Sequence, residues 1–387
     1  MRLDLDRRSW RRVAFGDVIE SVTDRIDDPS QAGVKRYVGL EHLDPGVLTV
    51  QRWDSPDTVS AQKLRFQSGD VIFGRRRAYQ KKVAMAEFEG ICSAHALVLR
   101  ANPDAMNAGF LPHFIASDYF LDRAISISVG SLSPTVNWRD LKVQVFELPP
   151  IDEQNRIADL LWTVEKHRNT LAAQVVEVAE AHSAWVTDRL SDFPTVSLGE
   201  VVQLQHGRPV PSALYGQGDF PLLRPGDMHP SGTTSWSPTS VRIPYSFADD
   251  KSDVVLKEGD LVINMTAQSL EDAFLGRVCR MHDRALLNQR IGRLEPRSVD
   301  PEYLFVALRA PRFTAWVARR CEGSKVKHMH WRHIENYPFP LPEQDQQHLV
   351  VAEHNAWSAV LSTAESERVA VESLRSAISR DVFGGNK

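Results

Sequence analysis

The chain of 387 residues carries a formal net charge of −4 and three cysteines. Its length is too great for one ordinary hydrophobic core and predicts at least two domains. No apolar run approaches the roughly 20 residues of a membrane span, and the charged residues 1–6 are untypical of a signal peptide. Three cysteines without paired spacing favour neither a disulfide framework nor a zinc site. We therefore expect a soluble intracellular protein that binds no metal.

Short motifs occur twice along the chain, in the same order. The pairs are Phe-Gly-Asp-Val at 15–18 with Leu-Gly-Glu-Val at 198–201, Gly-Asp-Val-Ile at 69–72 with Gly-Asp-Leu-Val at 259–262, and Gly-Ser at 130–131 and 323–324. The Gly-Ser, Trp-Arg (138–139 and 331–332) and Leu-Pro (148–149 and 341–342) pairs share an offset of 193 residues. The chain is therefore a two-fold pseudo-repeat of one recognition unit.

Residues 1–150 and 193–340 have the composition of two similar globular domains. Short apolar runs alternate with Gly, Pro and Asp, which is a strand-and-turn pattern. Each domain adds one helix-like patch, at 110–124 and 303–319, and ends in a strand, at 143–148 and 337–341. We expect a mixed α+β domain in each half, with the last strand leading directly into a long helix.

The segments 151–192 and 341–387 follow Leu-Pro and a Glu-Gln pair and are predicted to be long helices, each of roughly 35 residues or about 50 Å. Each has a seam of nine positions, seven of them apolar, at spacings of four and three. The first seam is Ile157, Leu161, Val164, Arg168, Leu171, Val175, Val178, His182 and Trp185, and the second is Val350, Glu353, Trp357, Val360, Ala364, Glu367, Val371, Leu374 and Ile378. Matching seams predict that the two helices pair as a coiled coil; the alternative is two unrelated amphipathic helices, each packed on its own domain.

The acidic residues in excess lie on these two helical segments, which leaves the globular domains neutral to basic. In the first domain, five cations fall within eight residues around an aromatic: Arg75, Arg76, Arg77, Tyr79, Lys81 and Lys82. Arginine binds phosphates and guanine edges through its fork of donors, and tyrosine can stack. This pattern predicts a DNA-facing loop, although a solvated hairpin tip would have the same composition.

The loop that follows Gly130 offers polar groups, and its counterpart after Gly323 offers cations and imidazoles. The candidate DNA contacts are Ser131, Ser133, Thr135 and Asn137 in the first loop, and Lys325, Lys327, His328 and His330 in the second. A repeated framework with different residues between its landmarks is expected for two reading surfaces with different targets. The alternative is that both loops only close the fold.

Further candidate base readers precede a strand in each domain: Asn288, Gln289 and Arg290 in the second, and His95 in the first. Asn and Gln pair with adenine and Arg with guanine, but a role in framework hydrogen bonding is an equal alternative. His328, His330 and His333 lack the partners of a zinc site. Neither a phosphate-binding loop nor a dinucleotide-binding glycine motif occurs, so we expect no catalytic centre.

In each half Gly-Ser is followed by Trp, by Leu-Pro and by Glu-Gln at the start of a helix, and the first half adds Gly-Asp-Val-Ile-Phe-Gly-Arg-Arg-Arg at 69–77. This doubled order, over nearly the whole chain, resembles the DNA specificity subunit of type I restriction-modification systems. The resemblance implies two target-recognition domains held apart by an antiparallel pair of helices, each domain reading one half of a split, asymmetric DNA site. In one departure from the repeat, the junction from Leu-Pro to Glu-Gln is three residues shorter in the second half than in the first. This difference predicts that the two long helices begin at different angles to their domains.

The resemblance also implies partners: double-stranded DNA, adenine methyltransferase subunits, expected as two per chain, and restriction or translocase subunits. S-adenosylmethionine, ATP and Mg are expected on those partners and no cofactor on this chain, which is expected to be a non-catalytic protein of the prokaryotic cytoplasm without a membrane partner. Alternatives are the specificity subunit of another phage-defence methyltransferase complex, a coiled-coil scaffold that binds no DNA and, third, a free-standing endonuclease.

Overall fold

The computed structural model describes residues 5–268, 270, 274–323 and 326–384. The chain divides into two compact units, of which unit 1 is Met1–Ala173 with Ser366–Lys387 and unit 2 is Gln174–Glu365. Each unit therefore holds one globular half of the sequence together with part of each long helix. None of the described helices is both long and apolar enough to cross a membrane.

The globular part of unit 1 combines small sheets with short helices. Its strands are β1 (Arg11–Ala14), β2 (Ile19–Val22), β3 (Arg25–Ile26), β4 (Tyr37–Val38), β5 (Lys63–Phe66), β6 (Val71–Phe73), β7 (Val83–Met85), β8 (Gly90–Ser93), β9 (Leu97–Ala101) and β10 (Val145–Leu148). Its helices are α1 (Phe15–Val18), α2 (Phe110–Ala116), α3 (Asp118–Ser126) and α4 (Trp138–Leu141), followed by the long α5 (Ile151–Ser191). The strands form an antiparallel sheet β2-β9-β6-β7, a mixed sheet β3-β5-β8-β4 and the pair β1-β10.

Unit 2 repeats this plan. Its strands are β11 (Thr195–Ser197), β12 (Val202–His206), β13 (Phe220–Leu223), β14 (Arg242–Ile243), β15 (Val255–Leu256), β16 (Leu261–Asn264), β17 (Thr266–Ala267), β18 (Val278–Arg280), β19 (Ala285–Leu287), β20 (Ile291–Pro296), β21 (Lys327–His328) and β22 (Pro338–Pro340). Its helices are α6 (Leu198–Val201), α7 (Tyr245–Asp249), α8 (Pro301–Leu308), α9 (Pro311–Arg320), α10 (Trp331–Ile334) and the long α11 (Gln344–Phe383). The sheet β12-β20-β16-β18 and the pair β11-β22 match β2-β9-β6-β7 and β1-β10.

The repeated glycine of the first motif lies where two backbone segments meet. Gly16 N donates to Lys142 O and Gly199 N donates to Glu335 O, both at 2.8 Å. A Cβ on Gly16 would lie 2.9 Å from Lys142 Cβ, and one on Gly199 would lie 3.2 Å from Glu335 Cβ. Close approach of backbone to backbone therefore explains why both halves have glycine here.

The repeated Gly-Asp motif forms the turn that begins a central strand. Gly69 and Gly259 have φ values of 91° and 88°, a region that glycine adopts without strain. The following aspartate closes the turn, since Asp70 Oδ2 accepts from Gln67 N and Asp260 Oδ2 accepts from Lys257 N, both at 2.9 Å. Asp70 is also paired with Arg100 at 2.7 and 2.8 Å.

Aromatic side chains fill the core of each unit at matching places. In unit 1 the ring of Phe120 lies 5.5 Å from Phe114 and 5.6 Å from Phe146, measured between centroids. Phe313 and Phe339 of unit 2 are fully buried at positions 193 residues after Phe120 and Phe146. The predicted helical patches prove to be helix pairs, because the chain turns extended at Ser117 and again ahead of Pro311.

The long helices pair antiparallel within each unit. In unit 1, Ile157 and Leu161 of α5 share a core with Ile378 and Val382 of α11, while Arg168, further along α5, reaches back to Glu372 at 3.8 Å. In unit 2, His182 Nε2 lies 3.0 Å from His354 Nδ1, and Arg189 Nε donates to Glu353 at 3.1 Å. The predicted fold class is confirmed: two similar mixed α/β domains, each followed by a long helix, with the helices paired.

The second predicted seam is wrong at three positions, of which Glu367 is exposed and the other two are apolar. Val360 is 52% exposed and Leu374 is 36% exposed, whereas their neighbours Leu361 and Arg375 are partly buried. The interface selects Arg375 over Leu374 because a long arginine stem can cover apolar surface while its guanidinium stays polar. A seam read only from apolar residues misses such a position.

The expectation of a shorter second junction is also wrong. Helices α5 and α11 begin at Ile151 and Gln344, which preserves the offset of 193 residues. The equivalent of Gln154 is therefore Gln347, and both side chains are buried. Gln154 accepts from Asn107 N at 2.9 Å and donates to Pro149 O at 2.9 Å, and Gln347 makes the same bonds with Asp300 N and Pro342 O at the same distances.

Replacing Gln347 with Ala should lower the free energy of unfolding by about 2 kcal/mol, because a buried N–H and a buried carbonyl lose their partner. The exposed Gln344 at the start of the same helix is the control, and Gln344→Ala should change stability by less than about 0.5 kcal/mol. Urea unfolding followed by circular dichroism measures both. Equal losses in the two variants would contradict a structural role for the buried amide.

The stability of unit 2 should depend on pH through His354. Burial, followed by the positive charges of His182, Arg309 and Arg280, lowers the pKa of His354 from 6.5 to about 4; burial and Arg309 also lower the pKa of His182. The unfolded chain then binds protons more readily, so the stabilisation is complete above about pH 6.5 and is lost as the pH falls toward 4.

His354→Leu should flatten this loss, since leucine does not titrate and occupies the matching position, Leu161, in unit 1. Thermal midpoints measured from pH 7 to pH 4 should therefore fall less for the variant than for the native chain. The exposed His167 supplies the control, and His167→Leu should retain the native profile. A profile for His354→Leu as steep as the native one would count against the buried imidazole as the cause.

Candidate nucleic-acid interface

The arginine-rich loop of unit 1 connects β6 to β7. Arg77 and Lys81 adopt left-handed backbone conformations, with φ of 56° and 54°, on either side of a 3-10 turn at Ala78–Gln80. Residues other than glycine adopt this conformation only where the surrounding structure holds them in it. The loop is therefore fixed in one shape, with Arg76, Arg77 and the half-exposed Tyr79 at its surface.

The structure brings this loop against the loop at 129–137, a contact that the sequence did not predict. Arg76 forms a bridge with Thr135, Arg77 N donates to Pro134 O at 2.7 Å, and Val136 N donates to Arg75 O at 3.0 Å. Two stretches that are about 60 residues apart in sequence thus form one surface, joined mainly through the backbone.

Ser133 lies at the centre of this surface. Its Oγ accepts from Arg76 Nε at 3.2 Å and from Arg77 Nε at 3.1 Å. Within the part of the chain that the structure describes, the terminal guanidinium nitrogens of these two arginines have no hydrogen-bond partner in the protein. Ser133 therefore orients two forks of donors whose ends remain available to phosphate or to base edges.

The other predicted residues of unit 1 differ in how available they are. Lys81 pairs with Asp118 at 2.7 Å and Lys82 donates to Leu40 O at 2.6 Å. Arg75 is half-buried and Ser131 is exposed. Asn137 precedes α4 and hydrogen-bonds Asp140. The pKa of Asp140 is lowered, first by its hydrogen bond with Arg139 and to a smaller extent by that with Asn137, while burial acts in the opposite direction. His95 is exposed in the turn between β8 and β9, and no hydrogen bond among the described residues joins it to either loop.

Unit 2 builds the same backbone frame. Strand β17 pairs with β21, so that Thr266 lies opposite His328 and Ala267 opposite Lys327. Met329 N donates to Met265 O at 2.9 Å, in the place of the bond from Val136 to Arg75. The frame is therefore common to the two units, whereas the side chains that it carries differ.

The predicted residues of this second frame are only partly free. His328 and His330 are exposed, and Lys327 Nζ donates to Gly323 O at 2.7 Å. His333 and Arg332 both approach Glu322, at 3.1 and 3.3 Å. Lys325 lies outside the described residues. Among the residues that the structure does describe, no group of three or more His, Cys, Asp or Glu side chains is placed to hold a metal ion.

A polar cleft of about 400 Å³ adjoins the frame of unit 2. Arg290, predicted from the sequence, lines it together with Thr266, Gln268 and Arg224 and with the hydroxyl-bearing segment Ser237–Ser240. Gln289 is exposed, but Asn288 is only 7% exposed, which leaves little of its amide to offer. The backbone of Arg290 joins the frame, since its carbonyl accepts from Met265 N at 3.0 Å.

Sequence reasoning missed Arg224 and Gln268. Gln268 directly follows β17. When the two repeats are aligned by their Gly-Asp motifs, Gln268 corresponds to Ala78, a residue of the arginine-rich loop, so this alignment would have marked Gln268 as a candidate. Arg224 follows the buried strand β13 without any local signal, and only the fold brings it to the cleft.

A family model described as the type I restriction modification DNA specificity domain matches the chain twice, over residues 8–181 and 191–352. A curated relative, the Type I restriction enzyme EcoDI specificity subunit of Escherichia coli, is 25% identical over 169 residues. That match covers 43% of this chain and only 37% of the relative, little more than a third of its length.

Two solved structures have a similar fold over nearly their whole length. One is a chain from work on complex assembly and conformational transition of the type I R-M system; it is 21% identical, with 98% of each chain covered and a TM-score of 0.63. The other is the S subunit of a Type-I restriction-modification system from M. genitalium, 12% identical, with 100% of this chain and 99% of that one covered and a TM-score of 0.60. At these identities the likeness extends to the fold alone.

Proposed function

Since this chain belongs to the type I restriction modification DNA specificity family, we propose that it is the subunit that selects the DNA sequence on which such a complex acts. Its target would be a split, asymmetric site, with one half read by each unit. The chain itself would carry no catalytic chemistry.

The observation that carries this proposal is one backbone frame built twice with different side chains. Unit 1 presents Arg76 and Arg77 held by Ser133. Unit 2 presents the exposed His328 on the strand paired with Thr266, and Arg290 in the adjoining cleft. Arginine can pair bidentately with guanine and with phosphate, whereas a cleft with glutamine and hydroxyl groups suits other base edges. Two such surfaces favour two unlike half-sequences over a palindrome.

We further propose that the chemistry belongs to partners: two adenine methyltransferase subunits, which use S-adenosylmethionine, and restriction or translocase subunits, which use ATP and Mg. Joining two weak DNA contacts in one chain raises the effective concentration of the second, so neither unit needs to bind tightly alone. The number of unread base pairs between the half-sites would follow from the helix pair. The expected location is the cytoplasm of a prokaryote.

The test of the whole proposal is long-read methylome sequencing of the host with and without the gene. Loss of N6-methyladenine at one split motif on deletion would support it. An unchanged methylome, in a strain whose partner methyltransferase is active, would instead favour a scaffold that binds no DNA.

Replacing Arg76 and Arg77 with Ala should weaken DNA binding by on the order of tenfold per arginine, since each loses a fork of donors. Each lost phosphate contact should also make the negative slope of log affinity against log salt less steep by about 0.9. Fluorescence anisotropy with the assembled methyltransferase measures both. Arg156→Ala, an exposed residue of α5, is the control, and an equal loss there would show that only net charge matters.

Exchanging residues 323–332 for the sequence of 130–139 should change one half-site and leave the other unaltered, because the two frames belong to separate units. Methylome sequencing of a strain with the exchanged gene reads both half-sites at once. A motif altered in both halves would refute the modular assignment.

A further inference from the structure

A groove in unit 1, beside the arginine-rich loop, is lined by cations and hydroxyls. It lies between helix α2, the turn at Gly46 and the last turns of α11, and its volume is about 350 Å³. Its basic and hydroxyl lining consists of Lys81, His113, Arg375, Ser376, Ser379 and Arg380. Leu161 and Phe383 supply an apolar wall.

The groove has a positive charge that the protein leaves uncompensated. Lys81 is neutralised by Asp118, which also lines the groove, and Arg375 donates through Nε and Nη2 to Glu372 at 3.1 and 2.8 Å. Arg380 is exposed and has no ion pair within the described part of the chain. An anion is therefore the ligand that the lining favours.

His113 adds a buried polar group without a partner. The residue is 7% exposed, and its Nε2 makes no hydrogen bond to any part of the protein that the structure describes. Burial, with a smaller effect of Arg375, lowers the pKa of His113 to about 3. The imidazole is therefore neutral, and its unpartnered nitrogen is a cost in stability that the fold bears at this wall of the groove.

The fold does not require this polar lining, as the matching region of unit 2 shows. At an offset of 193 residues, His113 corresponds to Val306, Ser379 to Val186, and Arg380 to Thr187. Val306 and Val186 are buried in the core of unit 2. A hydrophobic solution therefore exists for the same helix packing at the positions of His113 and Ser379. The imidazole of His113 and the guanidinium of Arg380 have no counterpart in unit 2.

We propose that this groove binds a phosphate group. Arginine offers phosphate a planar fork of donors, and the serine hydroxyls can supply further ones. The volume of the groove lies within the range of small-molecule sites, although at its low end. It therefore has space for a phosphate and for one sugar or base against the apolar wall. The phosphate could come from a free nucleotide or from the DNA backbone next to the arginine-rich loop; only the second source rests on the proposed function.

The first test uses the full chain without DNA. Thermal unfolding is recorded with increasing inorganic phosphate, pyrophosphate and AMP, at constant ionic strength. For a free-ligand site, pyrophosphate or AMP raises the unfolding midpoint of the native chain, and Arg380→Gln weakens the apparent affinity about tenfold. Ser379→Val, which copies Val186 of unit 2, should fold and also bind more weakly. Lys166→Gln, an exposed cation of α5 outside the groove, should bind as the native chain does.

The second test asks whether the phosphate belongs to DNA. If free phosphates leave the midpoint unchanged, the salt dependence of DNA binding by the assembled methyltransferase is compared between the native chain and Arg380→Gln. A slope that falls by about 0.9, with Lys166→Gln unchanged, assigns the groove to a backbone phosphate. The proposal is overturned if neither free phosphate nor the salt slope responds to Arg380→Gln, even where DNA binding itself is normal.

Discussion

A buried glutamine at the start of each long helix is the interaction on which the rest of each unit depends. The amides of Gln154 and Gln347 satisfy backbone groups of the strand-to-helix junction and of the segment that precedes a core helix, at Asn107 and Asp300. Because one side chain bonds two separate backbone segments away from water, the direction in which the helix leaves its domain is fixed. Two equivalent surfaces need equivalent supports, and the buried glutamine provides the same support in both units.

The helices that leave these junctions do not belong to one unit each. Unit 1 contains the first part of α5 and the last part of α11, and unit 2 contains the remainder of both. The interface is apolar in unit 1, around Leu161 and Ile378, and partly aromatic and polar in unit 2, where His182 and His354 lie close to Trp185 and Trp357. A pairing that differs along its length favours a single register, since sliding would place imidazoles against aliphatic side chains.

Much of the fold could be predicted because duplication reveals which residues are structural. Gly16 and Gly69, each with its counterpart in the second half, mark a close approach and a turn. The repeat also located both helical patches and both long helices, although it did not show that each patch is a pair of helices. Two expectations that relied on short local patterns were wrong. Matching the two Glu-Gln pairs misplaced the second junction, and choosing only apolar residues for the seam selected Leu374 instead of Arg375. The candidate interface was predicted residue by residue but not as a surface, because the contact of Arg77 with Pro134 depends on tertiary structure.

The frame that carries the candidate interface is held mainly by backbone atoms, at the bonds from Val136 to Arg75 and from Met329 to Met265. Every amino acid except proline supplies the donor that such a bond needs. Side chains on the frame can therefore change during evolution at little cost in folding, whereas the glycines and glutamines beneath them cannot. In a duplicated chain of this kind, the surface side chains of the two halves can therefore differ while the same scaffold keeps both halves folded.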